Sequence, residues 1–182
     1  MTEAAQPFVG LVEVVPRIGA LAWVSDQLFT IQGTWAETME SPAAAVHLAT
    51  ASRHHGSHVG LWSDALPDSP VLDAASHISP PNPEWQVALA AVHELTASSD
   101  AARMAALYRG LVPRHLSLVD ALAERLGGPG DAHIQRVLSI VRRDVVADLT
   151  GGHRQLETTL GDDEGIEMAL STVKALDQAF RT

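Results

Sequence analysis

Apolar residues recur at steps of three and four along most of this chain. Leu21, Val24, Leu28, Ile31 and Trp35 follow that spacing, and helical positions three and four apart share one face. The pattern predicts a first helix from about Arg17 to Met39. Ser41-Pro42 has the form of an N-cap followed by proline at the first helical position. It predicts a second helix that runs to about Leu66, where Pro67 stops it. The best stripe of that helix is Leu48, Ala51, His55, Val59, Trp62 and Leu66. Gly56 and Gly60 lie on a second face and are small enough to let another backbone come close.

Prolines at 70, 80, 81 and 83 make the stretch from Asp68 to Pro83 irregular. Asn82-Pro83 then caps a short helix, about Glu84 to Leu95. Ser98 or Ser99 opens a long third helix reaching about Leu126, with Met104, Leu107, Leu111, His115, Leu118 and Leu122 inward. Pro113 is expected to kink it, because proline removes a backbone hydrogen bond and crowds the preceding turn. Gly127-Gly128-Pro129-Gly130 breaks the chain. Asp131 caps a fourth helix with Ile134, Val137, Val141, Val145 and Asp148 inward, and Gly151-Gly152 is expected to end or bend it near His153. A last helix, about Asp163 to Phe180, carries Ile166, Ala169, Leu170, Val173 and Phe180. Nothing reads as a strand or a repeat. Val9 to Val15 fits either a half-turn or an arm laid on a neighbour.

These elements predict an all-α fold. Two long helices, a long connection holding a short helix, two more long helices and a C-terminal helix follow in order. Short links make antiparallel neighbours, and the long connection lets the second pair run back along a four-helix bundle. The expected organisation is one domain over residues 1–182, with an N-terminal arm at 1–16, a crossover at 67–98 and a C-terminal helix at 163–181.

Composition narrows the function classes. A net charge of −10 argues against nucleic-acid and anionic-membrane surfaces, which favour clustered Lys and Arg. The absence of cysteine excludes disulfides, thiolate zinc sites and a cysteine nucleophile. No apolar run is long enough to cross a bilayer, and the first residues lack the basic start of a secretory signal. A cytoplasmic location is the expectation. Phosphate-binding loops, dinucleotide fingerprints and Gly-x-Ser-x-Gly are absent.

Four polar residues fall on stripes that should be apolar: His55, His115, Asp144 and Asp148. A buried imidazole or carboxylate is costly unless it is paired or bound to something. Asp144 and Asp148 are one turn apart and can face one partner. All four are candidate metal ligands. The plainer reading pairs the histidines with the aspartates, or the aspartates with Arg53, Arg114 or Arg136 across the bundle. His54 and His58 are an i, i+4 pair, a spacing that can bind zinc when a third ligand arrives from elsewhere; they and His47 lie on an adjacent face, where exposure or a subunit contact is the plainer reading.

The order of elements, and these polar positions, resemble the ferritin-like superfamily over about Arg17 to Leu160. Di-iron members of such bundles take a Glu from each of two helices and a Glu-x-x-His pair from each of the other two. Here the second helix reads Ser52-Arg53-His54-His55, with serine in the glutamate place and histidine retained. The fourth reads Asp144-Val145-Val146-Ala147, with the acid retained as aspartate and alanine for histidine. His115 stands in the glutamate place of the third helix. The first offers no inward carboxylate, since Asp26 is off the stripe, and Gln32 is its nearest polar candidate. Trp35 and the run from His55 to Pro67, with Trp62 inside it, are similar to actinobacterial ferritin-like proteins of unassigned role.

The resemblance implies a degenerate bundle. Two irons need bridging carboxylates, and Ser52, Ala147 and an acid-free first helix do not supply them. The expected function is therefore a binding or accessory protein without a cofactor, self-associating as a dimer or holding a protein partner. It would use the first two helices, the Gly56/Gly60 face or the arm. Gln32, Trp35, Ser52 and Trp62 are the expected pocket residues. The alternative is a non-haem iron oxygenase or oxidase acting on a small apolar ligand. It would hold one Fe(II) on His55 and His115 with Asp144 or Asp148 as the carboxylate. A third possibility is a metal-free enzyme using the His and Asp groups as acid and base.

Overall fold

The computed structural model describes residues 10–68 and 73–181. All regular structure among them is helical. Helix α1 (Leu11–Ala36) starts a turn and a half before the expected Arg17. Val14 and Val15 are buried, so this stretch is helix and not an arm. Residues 1–9 of the expected arm lie outside the described residues. Pro16 sits inside α1, near enough to its start that only one ladder bond is lost. Leu21, Val24, Leu28, Ile31 and Trp35 are all buried, as their spacing predicts.

Helix α2 (Pro42–Ala65) is capped by the Ser41 side chain, which accepts from the Ala44 N–H. It ends where Leu66 turns extended ahead of Pro67. The crossover then lays a 3-10 turn (Ala74–His77) across α1. Gly19 permits that crossing, because a Cβ there would fall on the His77 carbonyl. Helix α3 (Pro83–His93) follows, with Asn82 accepting from the Trp85 N–H.

Helices α4 (Asp100–Ala105) and α5 (Val112–Ala123) form one continuous helix through a π turn, Ala106–Leu111. The expected disturbance from Pro113 thus takes the form of a wide turn just ahead of it. Asp131 accepts from the Gly127 and Gly128 N–H groups and shapes the link to α6 (Ala132–Leu160). The Gly151-Gly152 pair does not end α6 at His153, one of the two outcomes expected of it. The helix runs on for two more turns, and the glycines serve the packing of His47 and Tyr108.

Helix α7 (Asp163–Ala179) buries Ala169, Thr172 and Leu176. This corrects the expected stripe, since Ile166 is 42% and Leu170 65% exposed. The rotation follows from its partners. Leu176 reaches Gly110 in the π turn, and Phe180 meets Trp85 of α3 edge-on at 5.2 Å and lies under the Arg114 guanidinium at 4.3 Å. Arg114 also reaches Asp177 at 2.7 Å.

The long helices close a ring: α1 against α2, α2 against α6, α6 against α4 and α5, and α5 back against α1. Helix α7 covers α3, α4 and the π turn from outside. The core that fills the ring includes Leu28, Trp35, Leu48, Trp62, Leu107, Leu111 and Val141.

Candidate functional site

A polar layer crosses this core, and each helix of the ring contributes to it. Gln32 comes from α1, and His55 and His58 from α2. Tyr108 comes from the π turn, His115 from α5, and Asp148, with the partly buried Asp144, from α6. Except for Asp144, all are less than a tenth exposed.

Two aspartates one turn apart on α6 meet two histidines one turn apart on α2. Asp148 Oδ1 and Oδ2 both lie 3.0 Å from His54 Nδ1. Asp144 Oδ2 lies 3.3 Å from His58 Nε2, while Arg143 holds the other Asp144 oxygen from the surface. These two rungs join α2 to α6. The expected partners of the aspartates were His55, His115, Arg53, Arg114 or Arg136, and none of these is used; the arginine on Asp144 is its chain neighbour Arg143. Arg114 serves Asp177 and the Gly110 carbonyl, and Arg53 reaches only the Thr50 hydroxyl. The face carrying His54 and His58 is also more interior than its spacing suggested, with His58 fully buried.

Inside the rungs lie imidazoles with no acid beside them. His55 touches His58 edge-on, ring centres 5.4 Å apart, and His115 at 5.3 Å. Both ring nitrogens of His55 and His115, and Nδ1 of His58, are buried without a hydrogen-bond partner. Burial pushes His55 well below the ordinary histidine range, and charge on His115 and His58 would add to the shift. The same burial takes His115 from 6.5 down to about 3. His58 is also lowered, because burial outweighs its bond to Asp144. The trio is therefore neutral at physiological pH. Burial raises Asp148, against the pull of His54.

Tyr108 occupies the other half of the layer. Its ring packs flat on α6 at Gly152, where a Cβ would collide with it, and His47 tilts against it at 5.2 Å. Its hydroxyl stands beside Gln32, short of hydrogen-bond geometry, and burial raises it above the ordinary tyrosine range. Trp62 is buried with its indole N–H unpartnered, Trp35 is buried in the core, and Ser52 donates to the Phe29 carbonyl at 2.9 Å. The expected pocket residues are thus divided. Gln32 belongs to the polar layer, whereas Ser52 ties α2 to α1.

His58 and Tyr108 are the members not singled out from the sequence. His58 carried a signal, since it stands three residues from His55 and four from His54. Tyr108 carried one too, since it stands four residues after Met104 and seven before His115, on the inward stripe of the third helix.

The di-iron pair implied by the resemblance does not fit these residues. Two cations held close together need bridging carboxylates to offset their charge. The layer offers imidazoles inside and aspartates already turned to His54 and His58. Among the described residues, no three His, Asp or Glu side chains are grouped so as to hold a metal ion. No helix among them is long and apolar enough to cross a membrane. No family model, no curated protein and no solved structure matches this chain.

Proposed function

We propose that this chain is a binding or accessory protein on a ferritin-like bundle that has lost its di-iron site, and that it works by self-association or by holding a partner protein. One observation carries the reading. Both carboxylates that reach the layer are committed to histidines of α2, so the interior at His55 and His115 has no anion to offset a metal charge. The ring of four long helical segments, with a long crossover on its outside, supports the ferritin-like part of the reading. The neutral imidazoles of His55 and His115 keep the core polar without an acid or base within hydrogen-bond reach to exchange a proton with.

Elemental analysis of protein grown in iron-supplemented medium tests this directly. The expected result is far less than one iron per chain, unchanged in His115→Ala. One iron per chain, lost in that variant, would overturn the reading in favour of a mononuclear iron oxygenase or oxidase. Two per chain would restore the di-iron reading.

A further inference from the structure

We propose that two copies of this chain pair through the groove between α1 and α2, with Val46 of each copy seated in the other's groove and Glu37 of each meeting Arg53 of the other. The inference rests on the self-association part of the proposed function and names its surface.

The groove holds about 580 Å³ and is walled by Gly33, Ala36, Ala45 and Ala49. Side chains this small let a second helix approach closely. Val46 stands on its rim, 67% exposed, a large apolar group with no cover of its own. Gly56 is not part of this opening. The Phe29 ring lies 3.1 Å from where its Cβ would be, so that glycine makes room within the chain.

Charge selects the occupant. Glu37 marks the groove near the end of α1, and Arg53 lies two turns along α2 from Val46 and Ala45. Both are exposed, and neither has an ion-pair partner among the described residues; the Arg53 guanidinium reaches only the Thr50 hydroxyl at 3.4 Å. On a chain with 22 acidic and 12 basic side chains, these two opposite charges border one apolar hollow. A two-fold contact is self-complementary, so that residue i of one copy meets j of the other and j meets i. An apolar hollow with an unpaired acid toward one end and an unpaired base toward the other satisfies that condition with a single surface. A partner of one charge would leave one of the two groups facing nothing.

Sedimentation velocity and light scattering across micromolar concentrations test it. Wild type is expected to show a concentration-dependent dimer. Glu37→Arg and Arg53→Glu each place like charges at both ends of the contact and should raise the dimer dissociation constant by roughly tenfold or more. The double variant E37R/R53E restores opposite charges and should return to within about threefold of wild type. Both sites are exposed, and circular dichroism checks that each variant keeps the fold. A wild type that stays monomeric overturns the proposal. So does a dimer indifferent to the single changes, or a double variant that is not rescued. Metal content on the same samples separates the two ideas: a missing dimer removes this surface, whereas bound iron removes the cofactor-free reading.

Discussion

Replacing His115 by leucine should flatten the acid dependence of folding. In the native chain His115 is fully buried, has no hydrogen-bond partner and faces His55, so its protonation is pushed from 6.5 down to about 3. The unfolded chain binds that proton near pH 6.5, and the folded chain does not. A group whose folded value is depressed contributes stability that is fully present above the unfolded value and lost as pH falls toward the folded one. The loss runs at about 1.36 kcal/mol for each pH unit. By about pH 5, His115 alone has therefore cost roughly 2 kcal/mol, a large share of the 5–15 kcal/mol typical of a domain. His55, His58 and His47 are shifted in the same direction and add to the acid sensitivity. Asp148, which burial raises, works the other way, because its protonation in acid favours the folded chain. Those groups remain in both proteins, so the difference between wild type and His115→Leu isolates one imidazole. Urea unfolding followed by circular dichroism at pH 7.5 and pH 5 measures it. The wild type should lose about 2 kcal/mol more than the variant between those conditions. Equal losses would mean that His115 takes up its proton without unfolding, and the neutral, closed layer would be wrong.

Other parts of the scaffold give equally direct outcomes. Gly152→Ala drives a methyl group into the Tyr108 ring and should lower stability by about 1–3 kcal/mol in thermal melts, with Tyr108 fluorescence altered; an unchanged melt would show that the ring has room to move. Asp100→Ala removes the acceptor for the Glu40 and Ser41 N–H groups and takes the only acid from Arg103, which is 3% exposed, bonds Asp100 at 2.7 Å and would keep only the Thr38 hydroxyl and carbonyl. Breaking a buried pair from one side costs about 3–5 kcal/mol, so urea titration should show a large loss, and a loss below about 1 kcal/mol would place Arg103 in solvent.

Helix positions were legible in the sequence because three-and-four spacing and capping residues act locally. The α1 stripe and the Ser41-Pro42 start stand where the residues put them, whereas Asp131 precedes α6 as expected but turns its carboxylate back to the Gly127 and Gly128 N–H groups instead of capping the helix. The α7 face was not legible. Ile166 and Leu170 have the right spacing, but Leu176, Phe180 and the Arg114–Asp177 pair fix the rotation of the helix, and their partners are distant in sequence. Gly151-Gly152 misled for a related reason: a glycine pair weakens an isolated helix, yet here it admits Tyr108 and His47 and the packing holds the helix together. At the polar layer, sequence singled out His55, His115, Asp144 and Asp148 as candidates. It did not give their pairing, because whether an α6 aspartate meets His54 or His55 depends on helix rotation by a single residue. The two rungs run through His54 and His58, and the histidines first singled out lie behind them.

The proposed function requires that the histidine layer hold no metal. Crystals soaked anaerobically in Fe(II), with anomalous difference maps collected at the iron edge, test it most directly. The account predicts no interior peak, with His54 still on Asp148 and His58 still on Asp144. An anomalous peak in coordination with His55 and His115, drawing either aspartate away from its rung, would contradict it.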